Sequence, residues 1–288
     1  MTSFISSFKN SLIAKSVLVF ILLFAGYNLA LHYFPPKTLY FQSQWERNMS
    51  IVEDYVFDDH PKGVVIVGSS MSGRLSMDLL GPRFQNIALS GGSSATGLEV
   101  VRRCENKPEM VLVEVNHLVG QDSAFISEQF NPLDLFLRKH FLSARARYKP
   151  ANLLLEYVKR DEKYRDPRPD SAVFASLFAA QKTYFDQTPD SLDLQRSVVS
   201  VKSTVDALIE DHVRVVFFQM PVHPYFENSP RTQISLREFH KAFPMDRYSW
   251  IDSLGGDYAT TDGVHLLSSS SAVFTKRLRD QVEARFGR

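Results

Sequence analysis

Gly63-Val64-Val65-Ile66-Val67-Gly68-Ser69-Ser70-Met71-Ser72 is the stretch on which the fold turns. Val64 to Val67 are β-branched without polar alternation, the pattern of a strand buried on both faces, as in a parallel sheet. The glycine and serines that follow end the strand in a turn. Similar runs occupy Phe84–Leu89, Met110–Val115 and Val213–Met220, with a short one at Trp250-Ile251-Asp252. Helical patterns lie between and after them, notably Gly97–Asn106, Leu192–Asp211 and Ser270–Phe286. This alternation implies right-handed crossovers and an α/β domain built on a doubly wound parallel sheet with helices on both sides.

Composition narrows the function classes. The 288 residues, 44% apolar and 23% charged, are those of a globular chain with a full core. A net charge of +1 gives no argument for nucleic acid, and no run of basic and aromatic residues suggests a stacking platform. Cys104 is the only cysteine, so an intramolecular disulfide is excluded, although an extracytoplasmic location is not. The eight histidines form no His-x-x-x-His or Cys/His cluster of ligand spacing, so no metal is expected.

Ser16 to Phe34 reads SVLVFILLFAGYNLALHYF, with His32 as its only titratable side chain besides tyrosine. About 19 helical residues rise roughly 28 Å, close to the hydrocarbon thickness of a bilayer. Lys9 and Lys15 precede the segment without an acid, so the N-terminus is expected in the cytoplasm and the folded domain outside the inner membrane. A cleaved signal peptide with Val17–Phe24 as its apolar core is the alternative, but no clean Ala-x-Ala site follows. Pro35 and Pro36 stop the helix. The expected organisation is a tip and transmembrane anchor over 1–35, a polar neck over 36–62 and the folded domain over 63–288.

The third and fourth strands are separated by roughly a hundred residues, where a crossover usually needs a dozen or two. The excess is a helical insertion of about 119–189, with helical pieces at Pro132–Phe141 and Ala151–Lys163. Its basic stretch, Arg138, Lys139, Arg145, Arg147 and Lys149, reads as a solvated helix face, or as a lid or a surface for anionic headgroups.

Serine hydroxyls need an adjacent base to attack at neutral pH, and the base needs an orienting partner. Ser70 stands at the C-terminal end of the first strand, where open α/β sheets bind ligands. A helix is expected to begin near Ser72–Arg74, with its dipole favouring a developing negative charge. Near the C-terminus, Asp262-Gly263-Val264-His265 spaces a carboxylate so that it can hold the imidazole Nδ1–H and leave Nε2 for the serine. Such motifs also occur as plain N-caps and turns. Ser90, Ser93 and Ser94 are competing serines, better explained as caps of the helix from about Ala95.

Together these blocks resemble the SGNH/GDSL hydrolase superfamily. Its Gly-Asp-Ser-x-Ser block is matched by Gly68-Ser69-Ser70-Met71-Ser72, and its glycine after an Asn-led strand by Gly91 in Asn86-Ile87-Ala88-Leu89-Ser90-Gly91-Gly92. Of the Gly-x-Asn-Asp block, Glu114-Val115-Asn116-His117 keeps the asparagine, and the closing Asp-x-x-His is intact as Asp262 to His265. Ser69 stands where the pattern has aspartate, and Glu114 and His117 where it has glycine and aspartate. The resemblance implies a three-layer α/β/α, flavodoxin-like fold and a Ser70–His265–Asp262 triad. It also implies an oxyanion hole from the Ser70 and Gly91 N–H groups and the Asn116 amide. The degenerate blocks are similar to those of membrane-anchored members that acylate cell envelopes.

The expected function is therefore serine O-acyl transfer, of acetyl groups to an envelope or exported polysaccharide, through a covalent Ser70 ester and without a cofactor. A multi-pass membrane acyltransferase is the expected supplier of acyl groups. A tethered carbohydrate esterase using the same residues, and a non-catalytic module that binds glycan or a partner, are the alternatives. His117 reads either as a pocket residue or as a strand end; His223, between Pro221 and Pro224, either as a substrate-binding group or as part of a structural turn.

Overall fold

Five strands form as the apolar runs require. In the computed structural model, which describes residues 2–36, 40–60, 63–117, 120–159 and 170–287 (side chains from residue 12), the chain opens with α1 (Thr2–Tyr33) and α2 (Gln44–Val56). The first half of the sheet unit follows: β1 (Val64–Val67), α3 (Met77–Leu80), β2 (Phe84–Asn86), α4 (Ser94–Arg103) and β3 (Met110–Glu114). Next come α5 (Ser123–Gln129), α6 (Pro132–His140), α7 (Pro150–Lys159), α8 (Ser171–Phe185) and α9 (Ser191–Glu210). The chain closes with β4 (Arg214–Phe218), α10 (Pro224–Glu227), α11 (Pro230–Ala242), β5 (Ser249–Trp250) and α12 (Ser268–Phe286).

Contacts divide the chain into two units, Met1–Ser50 with Gln129–Glu162, and Ile51–Glu128 with Lys163–Arg288. The stretch read as a neck thus contains a helix, α2, and the expected insertion is shared between the units. The insertion's expected start at Val119, the end of the neck at 61–62 and the last residues of the Ala151–Lys163 helix lie outside the described residues.

Every strand of the second unit runs parallel, in the order β2-β1-β3-β4-β5. Chain direction along the sheet reverses between β1 and β3, and the crevice outside the strand ends at such a point is where open α/β sheets take ligands. Val67 of β1 is in register with Val113 of β3, so the turns after both strands emerge side by side. Beyond β2 the pairing continues through Ile87 N–H to Ile66 O and Leu89 N–H to Gly68 O, both 2.9 Å.

Alternate strand residues serve different helices. Val64, Ile66, Met110, Leu112, Val216 and Phe218 share one buried cluster with Phe274, Leu278 and Val282 of α12. From the other register, the Phe217 ring packs on Phe239 of α11, Phe243 and Trp250 at centroid distances of 5.9, 4.8 and 5.0 Å. Val67 meets α4 at Gly97. Helix starts follow from side chains that satisfy the free first-turn N–H groups. Ser93 accepts from Thr96 N, Asp190 from Leu192 N and Asp193 N, and Ser229 precedes Pro230 while accepting from Thr232 N.

A methyl group on Gly97 would stand 2.8 Å from Val67 Cβ and 3.0 Å from its Cγ1. Ala normally gains up to about 1 kcal/mol over Gly inside a helix, but crowding a packed core costs about 1–3 kcal/mol. Gly97→Ala is expected to lower stability by about 1 kcal/mol or more in urea denaturation.

Candidate active site

Asp262 is the best-partnered side chain at the mouth of the sheet. Its Oδ1 accepts the backbone N–H groups of Val264 (2.9 Å) and His265 (2.8 Å). Oδ2 meets His265 Nδ1 at 2.7 Å and accepts from Gln181 Nε2 at 2.9 Å. The turn closes because Gly263 takes φ +90, a conformation that side chains other than glycine's resist. Burial alone would raise the Asp262 pKa, but the His265 side chain, the two N–H groups and the imidazole's charge outweigh it and hold the carboxyl at about 2. An ionised Asp262 fixes the proton on Nδ1, which makes Nε2 the acceptor. Ser70 Oγ lies 2.7 Å from that Nε2. The structure thus joins Ser70, His265 and Asp262 in one hydrogen-bonded relay, across 195 residues of sequence.

Ser70 is carried by a turn held from below. Glu114, the last residue of β3, is fully buried, and its carboxyl accepts Ser69 N–H (2.9 Å), Ser72 N–H (3.1 Å) and Ser69 Oγ–H (2.8 Å). These donors offset the cost of burying the carboxyl. Gly68 makes the contact possible, since a Cβ there would stand 2.5 Å from Glu114 Oε2 and collide with Ser72 Oγ. Ser69 and Glu114 are two of the positions that depart from the resembled pattern, and they touch. The resembled pattern has a carboxylate where Ser69 stands and a glycine where Glu114 stands; here the two residue types occupy the opposite positions and hydrogen-bond to each other.

Ser72–Arg74 forms a three-residue 3-10 turn where a helix was expected. The helical ladder stops where Leu75 turns to an extended ψ of 136, and Arg74 O and Ser76 N–H pair instead with Ser271 Oγ (2.6 Å) and Thr275 Oγ1 (3.2 Å), both from α12. No helix macrodipole therefore serves Ser70. Among the described residues, however, neither the Ser70 N–H nor the Gly91 N–H donates a hydrogen bond. Gly91 takes φ +65 in the turn after β2. Ser93 is the N-cap of α4 and Ser94 Oγ donates to Glu114 O at 2.6 Å, as caps and braces do.

Asn116 is partly committed elsewhere. Its Oδ1 accepts Met220 N–H at 2.7 Å and its Nδ2 donates to Met220 O at 2.9 Å, clamping the turn after β3 to the end of β4. One amide hydrogen is left for a substrate. His117 lines a small cavity of about 30 Å³ with Asn116, Tyr184, Gln219 and Arg231. Burial lowers the His117 pKa, Glu114 opposes that and Arg231 adds to it. Neither Ser70 nor His265 lines this cavity, so it neighbours the relay without being its pocket. The His223 backbone N–H donates to Gly263 O at 2.7 Å, its Nδ1 caps α10 by accepting Tyr225 N–H at 3.2 Å, and its ring stands edge-on to Phe178 at 5.0 Å. It supports the Asp-Gly turn directly.

Sequence reasoning missed Glu114 as a partner of Ser69, and Gln181. Gln181 lies on α8, inside the stretch read as an insertion, and no motif marks it. Among the described residues no group of three or more His, Cys, Asp or Glu side chains is placed to hold a metal ion. No family model matches the chain, and a search of curated proteins finds no match either.

Two measurements test the electrostatics. The Asp262 pKa is depressed from 3.8 to about 2, so its stabilising contribution is full above pH ~4 and is lost as pH falls through ~2. The stability gap between wild type and Asp262→Asn is expected to narrow by about 1 kcal/mol between pH 6 and pH 3 in urea titrations. For the exchanged pair, Ser69→Asp and Glu114→Gly should each destabilise the fold, while the double variant recovers much of the loss. Additive losses would show that the two positions are not coupled.

Proposed function

We propose that this chain is a membrane-anchored serine O-acyltransferase that moves acetyl groups onto an envelope or exported polysaccharide, on a doubly wound SGNH-type domain. The Ser70–His265–Asp262 relay, with both contacts at 2.7 Å, is the observation that carries this reading. Ser70 Oγ attacks the donor's acyl carbonyl while its proton passes to His265 Nε2. The carbonyl oxygen, now negative, accepts from the Ser70 and Gly91 N–H groups, with the remaining Asn116 amide hydrogen as a third donor. Collapse breaks the bond to the leaving group, which takes the proton from His265 and departs. A Ser70 ester remains. A carbohydrate hydroxyl then gives its proton to His265 and attacks the ester, and the proton returns to Ser70 as the glycan ester leaves.

Leu12–Tyr33 of α1, 22 residues of mean hydropathy 2.0, is long and apolar enough to cross a membrane. We read it as the anchor, with the N-terminus cytoplasmic, the folded domain outside and a multi-pass membrane protein as acyl supplier. Tethering raises the effective concentration of membrane-delivered substrate. Water also reaches the relay, because Ser70 is half-buried and the His265 side chain is 20% exposed. That favours a tethered carbohydrate esterase as the second reading.

Incubation with p-nitrophenyl acetate should add one acetyl mass to the intact protein, at Ser70, and Ser70→Ala should abolish the adduct without unfolding. Undiminished labelling of the Ser70→Ala protein would refute the relay. Single-turnover decay of the ester then separates the readings. Faster discharge by an oligosaccharide than by buffer marks a transferase, and equal decay marks an esterase.

A further inference from the structure

The first unit contains more than the α1 span. Phe141 packs its ring on Phe24 of α1 at 5.1 Å, and Tyr27 Oη donates to Tyr148 O at 2.5 Å. Asn28, a primary amide inside the apolar span, is fully paired with Ser143: its Nδ2 donates to Ser143 Oγ (2.9 Å) and its Oδ1 accepts Ser143 N–H (3.1 Å). Nδ2 also reaches Phe24 O at 2.9 Å. Leu31 is buried in the same unit. These four α1 residues all lie in the C-terminal half of Leu12–Tyr33. Phe24 stands about nine residues, or about 14 Å, before the end of that span. If Leu12–Tyr33 fills the hydrocarbon, the segment from Phe141 to Tyr148 sits beside α1 below the membrane surface.

The flanking helices suit that depth. On α6, Leu133 (66% exposed) and Phe136 (55%) are spaced i, i+3, and on α7, Leu154 (64%), Tyr157 (77%) and Val158 (71%) are spaced i, i+3, i+4. Each set is one helix face. Polar groups of the segment are drawn inward. Arg138 is buried and donates to Gln129 Oε1 and O, both at 3.0 Å, and buried Asn152 accepts Gln42 N–H (3.1 Å) and donates to Ala146 O (2.8 Å). Lys139, His140 and Lys149 remain outside, where headgroups would meet them.

We propose that α6, α7 and the two short turns between them form a membrane-embedded platform. It reaches from the headgroups into the hydrocarbon of the leaflet at the C-terminal end of α1, with Leu133, Phe136, Leu154, Tyr157 and Val158 immersed in lipid. The occupant of these apolar faces is the bilayer, because the segment is packed against the very helix that crosses it. The inference rests on the reading of α1 as a membrane span and is independent of the acyl-transfer chemistry.

The test places nitroxide labels in the full chain at Phe136→Cys and Tyr157→Cys, in nanodiscs of phosphatidylethanolamine and phosphatidylglycerol holding one copy each. Controls are Leu22→Cys in α1 and Val199→Cys on the exposed face of α9 (64% exposed). Cys104 stays unlabelled, because burial pushes its thiol pKa up to about 12 despite Lys107 nearby. Positions 136 and 157 are expected to collide with oxygen several-fold more than with a water-soluble nickel chelate, as position 22 does, and position 199 to show the reverse. Chelate access at 136 or 157 equal to that at 199, with 22 in lipid, overturns the platform alone. Chelate access at 22 as well overturns the span and the platform together. Protection from both reagents at 136 and 157 means a protein surface covers them, and overturns the lipid assignment.

Discussion

A buried carboxyl bridging two strand ends is the constraint on which this site depends. Glu114 ends β3, and the turn it holds begins after β1, so the hydrogen bonds from its three donors cross the place where the chain changes direction along the sheet. A loop at such a position would otherwise be free to lift, taking Ser70 away from His265. Losing one partner of a buried, hydrogen-bonded carboxyl costs far more than a surface contact, because the group left behind cannot return to water. The place of Ser70 is thereby tied to the stability of the sheet itself.

The opposite side of the relay is set by different means. Asp262 shares its oxygens between two backbone N–H groups, the imidazole and Gln181. His223 in turn holds Gly263 through its main chain. One half of the site is thus fixed by a strand end and the other by a turn braced from α8 and from the loop after β4. Neither half contains a residue of the first unit.

The sheet was legible because its central strands are buried on both faces and spell that out as unbroken apolar runs, Val64 to Val67 and Met110 to Val113. The serine and histidine blocks were legible because their spacing from a strand end and from the last helix has a chemical meaning. Glu114 was not, since a carboxyl at the end of an apolar strand looks like a surface residue until its partner is known. Its pairing with Ser69 joins positions 45 apart, and no local pattern records it. Gln181 was hidden for the same reason. The 3-10 turn after Ser70 was misread because the groups that pair with its end, the hydroxyls of Ser271 and Thr275, lie about 200 residues downstream. The helix within the expected neck was obscured by its mostly polar sequence.

The pairing of Met110 with Arg214 has a consequence for how the molecule assembles. A sheet that must wait for a loop of roughly 100 residues pays loop-closure entropy before any strand contact rewards it, about 1.5 kcal/mol more than for a 20-residue crossover. Non-local pairings of this kind slow folding. The segment within that loop has partners of its own, Asn28 and Tyr27 of α1, which precede it in the chain. By condensing on α1 first it would shorten the effective loop, so α1 would act as a folding nucleus for the segment.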